Sequence, residues 1–263
     1  MQLKSAIKYQ ILRKFSLEDF YTYLNKSWTR NSKHIYIACL PKSGSTFLTD
    51  VLVNVSEFQF VQFQPIRGTN DHNINYDVLL SNLNNDTVTQ LHTKPNDHNR
   101  LLFKKYNIKV VFLFRSIINS LKSFHSHILN ENDRWFMFSV ADNFIEWDIE
   151  KQFDFIIELV GPWYIDFLVS WKKELQKNEI EILEVDFDDF KSDNINTIRR
   201  ILEFYELYHS SNRIEEGLKR SMSRKEKLRF NSETSKIDYE FTNNQIEKLK
   251  GFLSYYPEHQ IKL

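Results

Sequence analysis

The 263-residue chain predicts an α/β fold, a central parallel sheet flanked by helices, and three observations carry that expectation. Short apolar runs rich in β-branched residues recur at 35–40, 88–91, 108–114 and 180–185. Stretches with apolar residues at helical spacing separate them, as crossover helices between parallel strands require. The run at 108–114, IKVVFLF, is apolar without alternation, which suits a strand buried on both faces.

Residues 1–34 form a mixed amphipathic lead-in expected to pack across one end of the sheet. Within it Ser16-Leu17-Glu18-Asp19 has the pattern of a helix start, with Asp19 at the capping-box position. The first strand spans 35–40. Pro41-Lys42-Ser43-Gly44 interrupts it, and 45–55 continues as a helix with Phe47, Leu48, Val51, Leu52 and Val55 at helical spacing. Residues 58–75, rich in aromatics, Gln and Asn and punctuated by Pro65 and Gly68, read as a long irregular excursion of functional type. A short helix is expected at 76–83, then a second strand at 88–91 ending in His92-Thr93-Lys94-Pro95.

A basic helical turn at 101–106 leads into strand 108–114, after which Arg115 and Ser116 precede a helix from 117 to about 129. Residues 131–177 read as strongly helical and aromatic, with a break at Gly161-Pro162. Strand 180–185 leads to an acidic corner at 186–189. Amphipathic helices follow at 195–207 and 212–223. Residues 224–240 are basic, polar and weakly patterned, and 241–256 closes as a helix capped by Thr242. No repeat, low-complexity tract or Gly/Ser-rich linker divides the chain, so residues 1–263 are expected to form a single domain.

The formal net charge is zero, so no overall basic field argues for nucleic acid or a membrane surface. No apolar run approaches the length of a membrane span, and the N-terminus lacks a signal-peptide pattern. The one cysteine, Cys39, lies inside the first strand and reads as an inert core residue. A lone cysteine suits a reducing compartment, and a cytoplasmic location is expected. The 22 Phe, 12 Tyr and 5 Trp exceed the usual needs of such a core. Phe58, Phe60, Phe63, Trp135, Phe136, Phe138 and Trp147 therefore line a ligand pocket or belong to the core.

Chemistry concentrates at strand ends. A strand turning sharply into a helix leaves unpaired N–H groups at the helix start, a ready anion site. Gly44, one of only five glycines, allows close backbone approach there, and Lys42 adds a full positive charge. The loop is built to hold a phosphate. It is not a Walker A loop, because Lys42 precedes the only glycine of the loop and none lies five positions upstream. Ligands in open α/β sheets bind at the carboxyl ends of the strands, so 41–46, 92–94 and Arg115 are expected on one rim. Ser123 lies about two helical turns beyond Arg115, and a guanidinium with that hydroxyl grips a further phosphate. His92 is the candidate proton acceptor, with Lys94 as a nearby cation and His98 in reserve. His125 and His127, at i and i+2, share no helix face and give no metal site.

Pro41-Lys42-Ser43-Gly44-Ser45-Thr46-Phe47 resembles the P-K-S-G-T-T-W loop of sulfotransferases that use 3′-phosphoadenosine 5′-phosphosulfate (PAPS). The Arg115…Ser123 pair has the spacing with which that family holds the 3′-phosphate. Residues 179–207 resemble its strand, Tyr-Glu-Asp corner and helix. Trp171 stands upstream, Asp188 and Asp189 match the acidic pair, and Phe187 replaces the Tyr. Met222-Ser223-Arg224-Lys225-Glu226 is similar to F-M-R-K-G, with Glu226 for the Gly, and Ile237-Asp238-Tyr239 stands for Gly-Asp-Trp. Leu91-His92-Thr93-Lys94-Pro95 corresponds to K-T-H-L-P, one residue out of register with Arg115.

The resemblance covers about residues 35–256 and implies a P-loop-like three-layer sandwich. It implies transfer of a sulfuryl group from PAPS to a hydroxyl or amine of a small-molecule or carbohydrate acceptor, with adenosine 3′,5′-bisphosphate (PAP) as product. By the same resemblance Lys42 and His92 are catalytic, and Lys42, Ser43, Gly44, Ser45, Thr46 and Phe47 hold the donor, Phe47 against adenine. Arg115, Ser123, Arg224 and Lys225 take the 3′-phosphate, Phe187 lies by the adenine, and no metal is needed. Two alternatives stay open. One is a P-loop nucleotide kinase or NTPase, with Asp186 as magnesium ligand but the wrong loop order. The other is a non-catalytic sulfotransferase-like binding domain.

Overall fold

The structure is a computed structural model that describes residues 32–64, 73–130, 134–135, 138–224 and 238–263. The expected helix start at Ser16–Asp19 and the candidate Lys225 lie outside these residues.

Strand β1 (His34–Cys39) leads into helix α1 (Ser45–Ser56), and the short β2 (Gln59–Phe60) and α2 (Tyr76–Asn82) precede β3 (Thr87–Leu91). Helix α3 (Asp97–Lys105), β4 (Val110–Phe114) and α4 (Ile117–Asn130) follow, then a two-stranded antiparallel pair, β5 (Arg134–Trp135) and β6 (Phe138–Ser139). The long α5 (Ile149–Lys177) returns the chain to β7 (Ile182–Asp186). Helices α6 (Phe187–Ser192), α7 (Asn194–Phe204), α8 (Ser211–Met222) and α9 (Asn243–Leu253) complete the described elements.

The sheet has five strands in the order β2-β3-β1-β4-β7, all parallel. Alternate residues of β1 feed two separate cores, which makes three layers. Tyr36 and Ala38 face the cluster built with α3, α4, α5 and α9. Ile35, Ile37 and Cys39 face the cluster built with α1, α7 and α8. The expected α/β sandwich is the fold observed.

The structure corrects four local expectations. Gly161-Pro162 does not break α5, which runs unbroken for 29 residues. A proline inside a helix costs about 3 kcal/mol. Beyond it Tyr164, Ile165, Phe167, Leu168 and Trp171 are all buried, and each large apolar side chain so placed contributes about 1.5–3 kcal/mol. Packing therefore outweighs the local penalty. Residues 131–148 are not helical where described: β5, β6 and a 3-10 turn at Phe144–Glu146 occupy the segment, and α5 starts only where Asp148 caps it. The excursion after α1 opens with β2, an edge strand whose two residues are both exposed and carry no periodic signal. The closing helix is shorter than expected, but Thr242 caps it through a full capping box with Gln245.

Candidate functional site

Strand register brings the candidate groups to one rim. Ala38 lies opposite Leu91, so His92 follows abreast of Cys39; Cys39 lies opposite Leu113, and Phe114 opposite Asp186. The loop after Cys39, His92, Arg115 and Phe187 therefore leave the sheet side by side, as expected for an open α/β ligand site.

The loop is curled by backbone geometry. Lys42 (φ 65°) and Gly44 (φ 74°) are left-handed, while Ser43 between them is not. Such alternation turns successive N–H groups toward one concavity, a nest for an anion. Ser43 is fully buried and ties the turn down, its hydroxyl donating to Leu40 O at 2.6 Å. Gly44 caps α1 without a side-chain hydrogen bond, so the helix's first turn faces the loop without a side-chain cap. A Cβ on Gly44 would lie 1.9 Å from Cε2 of Phe187. Glycine is thus required twice, by its dihedral and by the ring above it. Lys42 is half-buried and Thr46 is exposed on the rim. Ser45 is buried, and its Oγ accepts from Nε2 of Gln90 at 2.9 Å.

His92 is seated at the base of this loop. Its Nδ1 lies 2.8 Å from Cys39 O, and a carbonyl only accepts, so Nδ1 is the donor and the neutral form of the ring has its lone pair on Nε2. The next residues are locked from behind: Thr93 Oγ1 meets Tyr36 Oη at 2.6 Å, and Trp171 Nε1 donates to Thr93 O at 2.9 Å. Cys39 is buried, which pushes its thiol pKa up to about 11, in keeping with an inert core residue.

The neighbours weighed beside His92 have other employment. Lys94 pairs with Asp166 at 2.5 Å and lies over the Trp163 ring, both on α5. Nε2 of His98 donates to Ile74 O at 2.8 Å. Lys94 is therefore turned toward α5 and not onto the loop, a departure from its expected role as the nearby cation.

Arg115 extends from β4 beneath Phe187, 5.0 Å from the ring centroid, with Asp188 Oδ1 3.8 Å from its Nε. That Nε is buried without a hydrogen-bond partner. Burial pulls the guanidinium below its ordinary pKa, opposed by Asp188 and Asp186. Ser123 is half-buried on α4. Phe187 is itself buried, wedged between Gly44 and Arg115. Phe47 is 3% exposed and packs on Phe190, so its ring belongs to the second core and offers little face to a base. Of the aromatic candidates, Phe63 is core, Phe60 is exposed, and Phe58 and Trp147 are partly buried against the two cores.

Helix α8 is clamped to α1: a Cβ on Gly217 would lie 2.3 Å from Val55 Cγ2, and Arg213 Nε donates to Val55 O. This brings Arg224 to Asp50 of α1, with Nη2 2.9 and 3.0 Å from the two carboxylate oxygens. Asp186, the magnesium candidate of the NTPase alternative, is taken: Oδ1 caps the Asp188 amide and Oδ2 meets Lys262 at 2.9 Å. Among the described residues, no group of three or more His, Cys, Asp or Glu is arranged to hold a metal ion. Gln90, Asp50 and Lys262 carried no sequence signal, because their partners lie on other elements.

Comparison with known proteins converges with this geometry. The family model described as "Sulfotransferase domain" matches residues 32–252. The chain is 27% identical over 190 residues to flavonol 4′-sulfotransferase of Flaveria chlorifolia, a match covering 68% of this chain and 57% of that protein's length. It superposes on mouse sulfotransferase SULT7A1 complexed with PAP with a TM-score of 0.63 at 15% identity, over 87% of this chain and 85% of that one. Retinol dehydratase complexed with androsterone and PAP matches with a TM-score of 0.52 at 14% identity, over 84% and 80% of the two chains. At these identities the superpositions speak for the fold. No helix among the described residues is long and apolar enough to cross a membrane.

Proposed function

Because the chain belongs to the sulfotransferase domain family, we propose that it transfers a sulfuryl group from PAPS to a small-molecule acceptor and releases PAP. One observation carries the reading: an imidazole fixed by Cys39 O stands at the base of a left-handed, lysine-bearing anion loop. The residues fit the donor. A curled loop ahead of a helix suits its 5′-phosphosulfate, and the buried Arg115 Nε without a hydrogen-bond partner suits its 3′-phosphate.

The donor supplies the sulfuryl group; the chain supplies position and charge. The amides after Gly44 and the Lys42 ammonium offset negative charge on the departing phosphate. Nε2 of His92 accepts the proton of the attacking hydroxyl. Arg115, with Ser123 on the next helix, receives the 3′-phosphate, and Arg224 and Lys225 add positive charge from the segment after α8. Fixed donors take the part that magnesium plays in phosphoryl transfer. The acceptor we favour is a small aromatic or alicyclic alcohol. The named relatives act on a flavonol or hold androsterone, and this chain carries partly buried aromatics such as Trp147. We also propose that residues 1–263 form a single domain, and that it is cytoplasmic, in keeping with one buried thiol.

The test is direct. Labelled PAPS with a panel of phenols, sterols, sugars and amines should yield a labelled product. In thermal shift, PAP at about 100 times its Kd should add ~2.7 kcal/mol, roughly 5 °C, while Mg-ATP adds nothing comparable. A shift with Mg-ATP alone would favour the nucleotide kinase.

A further inference from the structure

The Arg115 corner contains two carboxylates as well as the guanidinium, and a residue far along the chain holds both. Lys262 Nζ lies 2.9 Å from Asp186 Oδ2 and 3.2 Å from Asp188 Oδ2. Its backbone is seated there too, since Lys262 O accepts from Ile117 N at 3.1 Å, at the first residue of α4. Asp188 thus shares its two oxygens: Oδ2 takes Lys262, and Oδ1 stops 3.8 Å from Arg115 Nε, beyond hydrogen-bond reach. The Nε proton stays unspent in a buried position.

We propose that Lys262 is a positioning residue for the donor: by holding Asp186 and Asp188 it keeps Arg115 available to the 3′-phosphate. The inference rests on the reading of Arg115 given above. Counting charges shows why a cation is needed. With Lys262 the corner holds two cations and two anions; without it one cation faces two carboxylates, where a phosphate must arrive. Asp188 then closes on Arg115 as a charge-assisted pair, at the ~2.8 Å usual for such bonds, and occupies the N–H groups the ligand needs. Like charges left near the site repel the ligand as well.

The experiment compares dissociation constants of PAP and adenosine 5′-monophosphate by calorimetry. The proteins are wild type, Lys262→Met, Lys262→Arg, Asp188→Asn, Lys262→Met/Asp188→Asn and Arg115→Ala. Lys262→Met keeps the stem and removes the charge, and it should weaken PAP about tenfold while changing the monophosphate less than about twofold, within the usual range of coupling between groups. Lys262→Arg should hold near wild type. Adding Asp188→Asn to Lys262→Met should restore most of the PAP affinity, which a merely structural role for Lys262 would not allow. If Arg115→Ala weakens PAP selectively but Lys262→Met does not, or if the double variant stays as weak as the single one, the inference is wrong. An unchanged PAP-to-monophosphate ratio in Arg115→Ala removes the parent reading itself, and the inference with it.

Discussion

Replacing Gly44 with alanine should damage both the fold and the loop, and the structure supplies the size of the effect. At φ 74° an L-residue costs roughly 1–2 kcal/mol relative to glycine. The new Cβ would stand 1.9, 2.5 and 2.7 Å from three carbons of the Phe187 ring. That ring cannot swing clear, because it is 7% exposed, packed on Phe190 and backed by Arg115. Overpacking of this type adds ~1–3 kcal/mol. The sum, ~2–5 kcal/mol, should appear as a lower urea midpoint at unchanged slope, and PAP binding should fall with it. Phe187→Leu removes the ring edge, so the double variant should lose ~1–2 kcal/mol less than the sum of the singles. Gly251→Ala is the control: its Cβ meets nothing within 4 Å on an exposed face of α9, and it should be neutral or stabilising by ~0.5–1 kcal/mol. A Gly44→Ala protein within ~0.5 kcal/mol of wild type, or strict additivity with Phe187→Leu, refutes the wedge.

The remaining predictions are briefer. Lys42→Ala should leave the protein folded and lower kcat by about 10²-fold or more, roughly 3 kcal/mol of transition-state stabilisation; a loss of only a few-fold would sink the role. His92→Ala should lower kcat by roughly 10²–10⁴-fold and abolish the acid limb of the pH–rate profile with donor affinity kept. His98→Ala and Lys94→Ala should do far less, since Ile74 O and Asp166 already engage them; a larger kcat loss in His98→Ala overturns the assignment of the base. Stability should fall with acid. Burial holds His34 and His125 below the ordinary histidine pKa of 6.5. The unfolded chain therefore binds more protons below that pH; the stabilisation is complete above about 6.5 and is lost as pH falls. Urea midpoints at about pH 7.5 and 5.5 should drop in wild type and drop less in His34→Gln, and equal drops would exclude His34.

What the sequence determined by itself was local in origin. Continuous apolar runs mark strands buried on both faces, and helical spacing marks the crossovers, so the α/β class was legible. The order Lys42-Ser43-Gly44 at a strand-to-helix junction marked the anion loop, because left-handed turns and uncapped helix starts are written in neighbouring residues. Tertiary structure decided what depends on partners distant in sequence. Pro162 stays helical because burial along α5 outweighs its local cost, and Phe47 turned to the core because Phe190 is there to receive it. Lys94 is spent on Asp166, Asp50 of α1 anchors Arg224 through Nη2, and the Arg115 corner is balanced by Lys262. Charge pairs of this type leave no periodicity in a chain. They form only where packing brings two elements within a few ångströms, so the site's ionic balance had to be read from the folded protein.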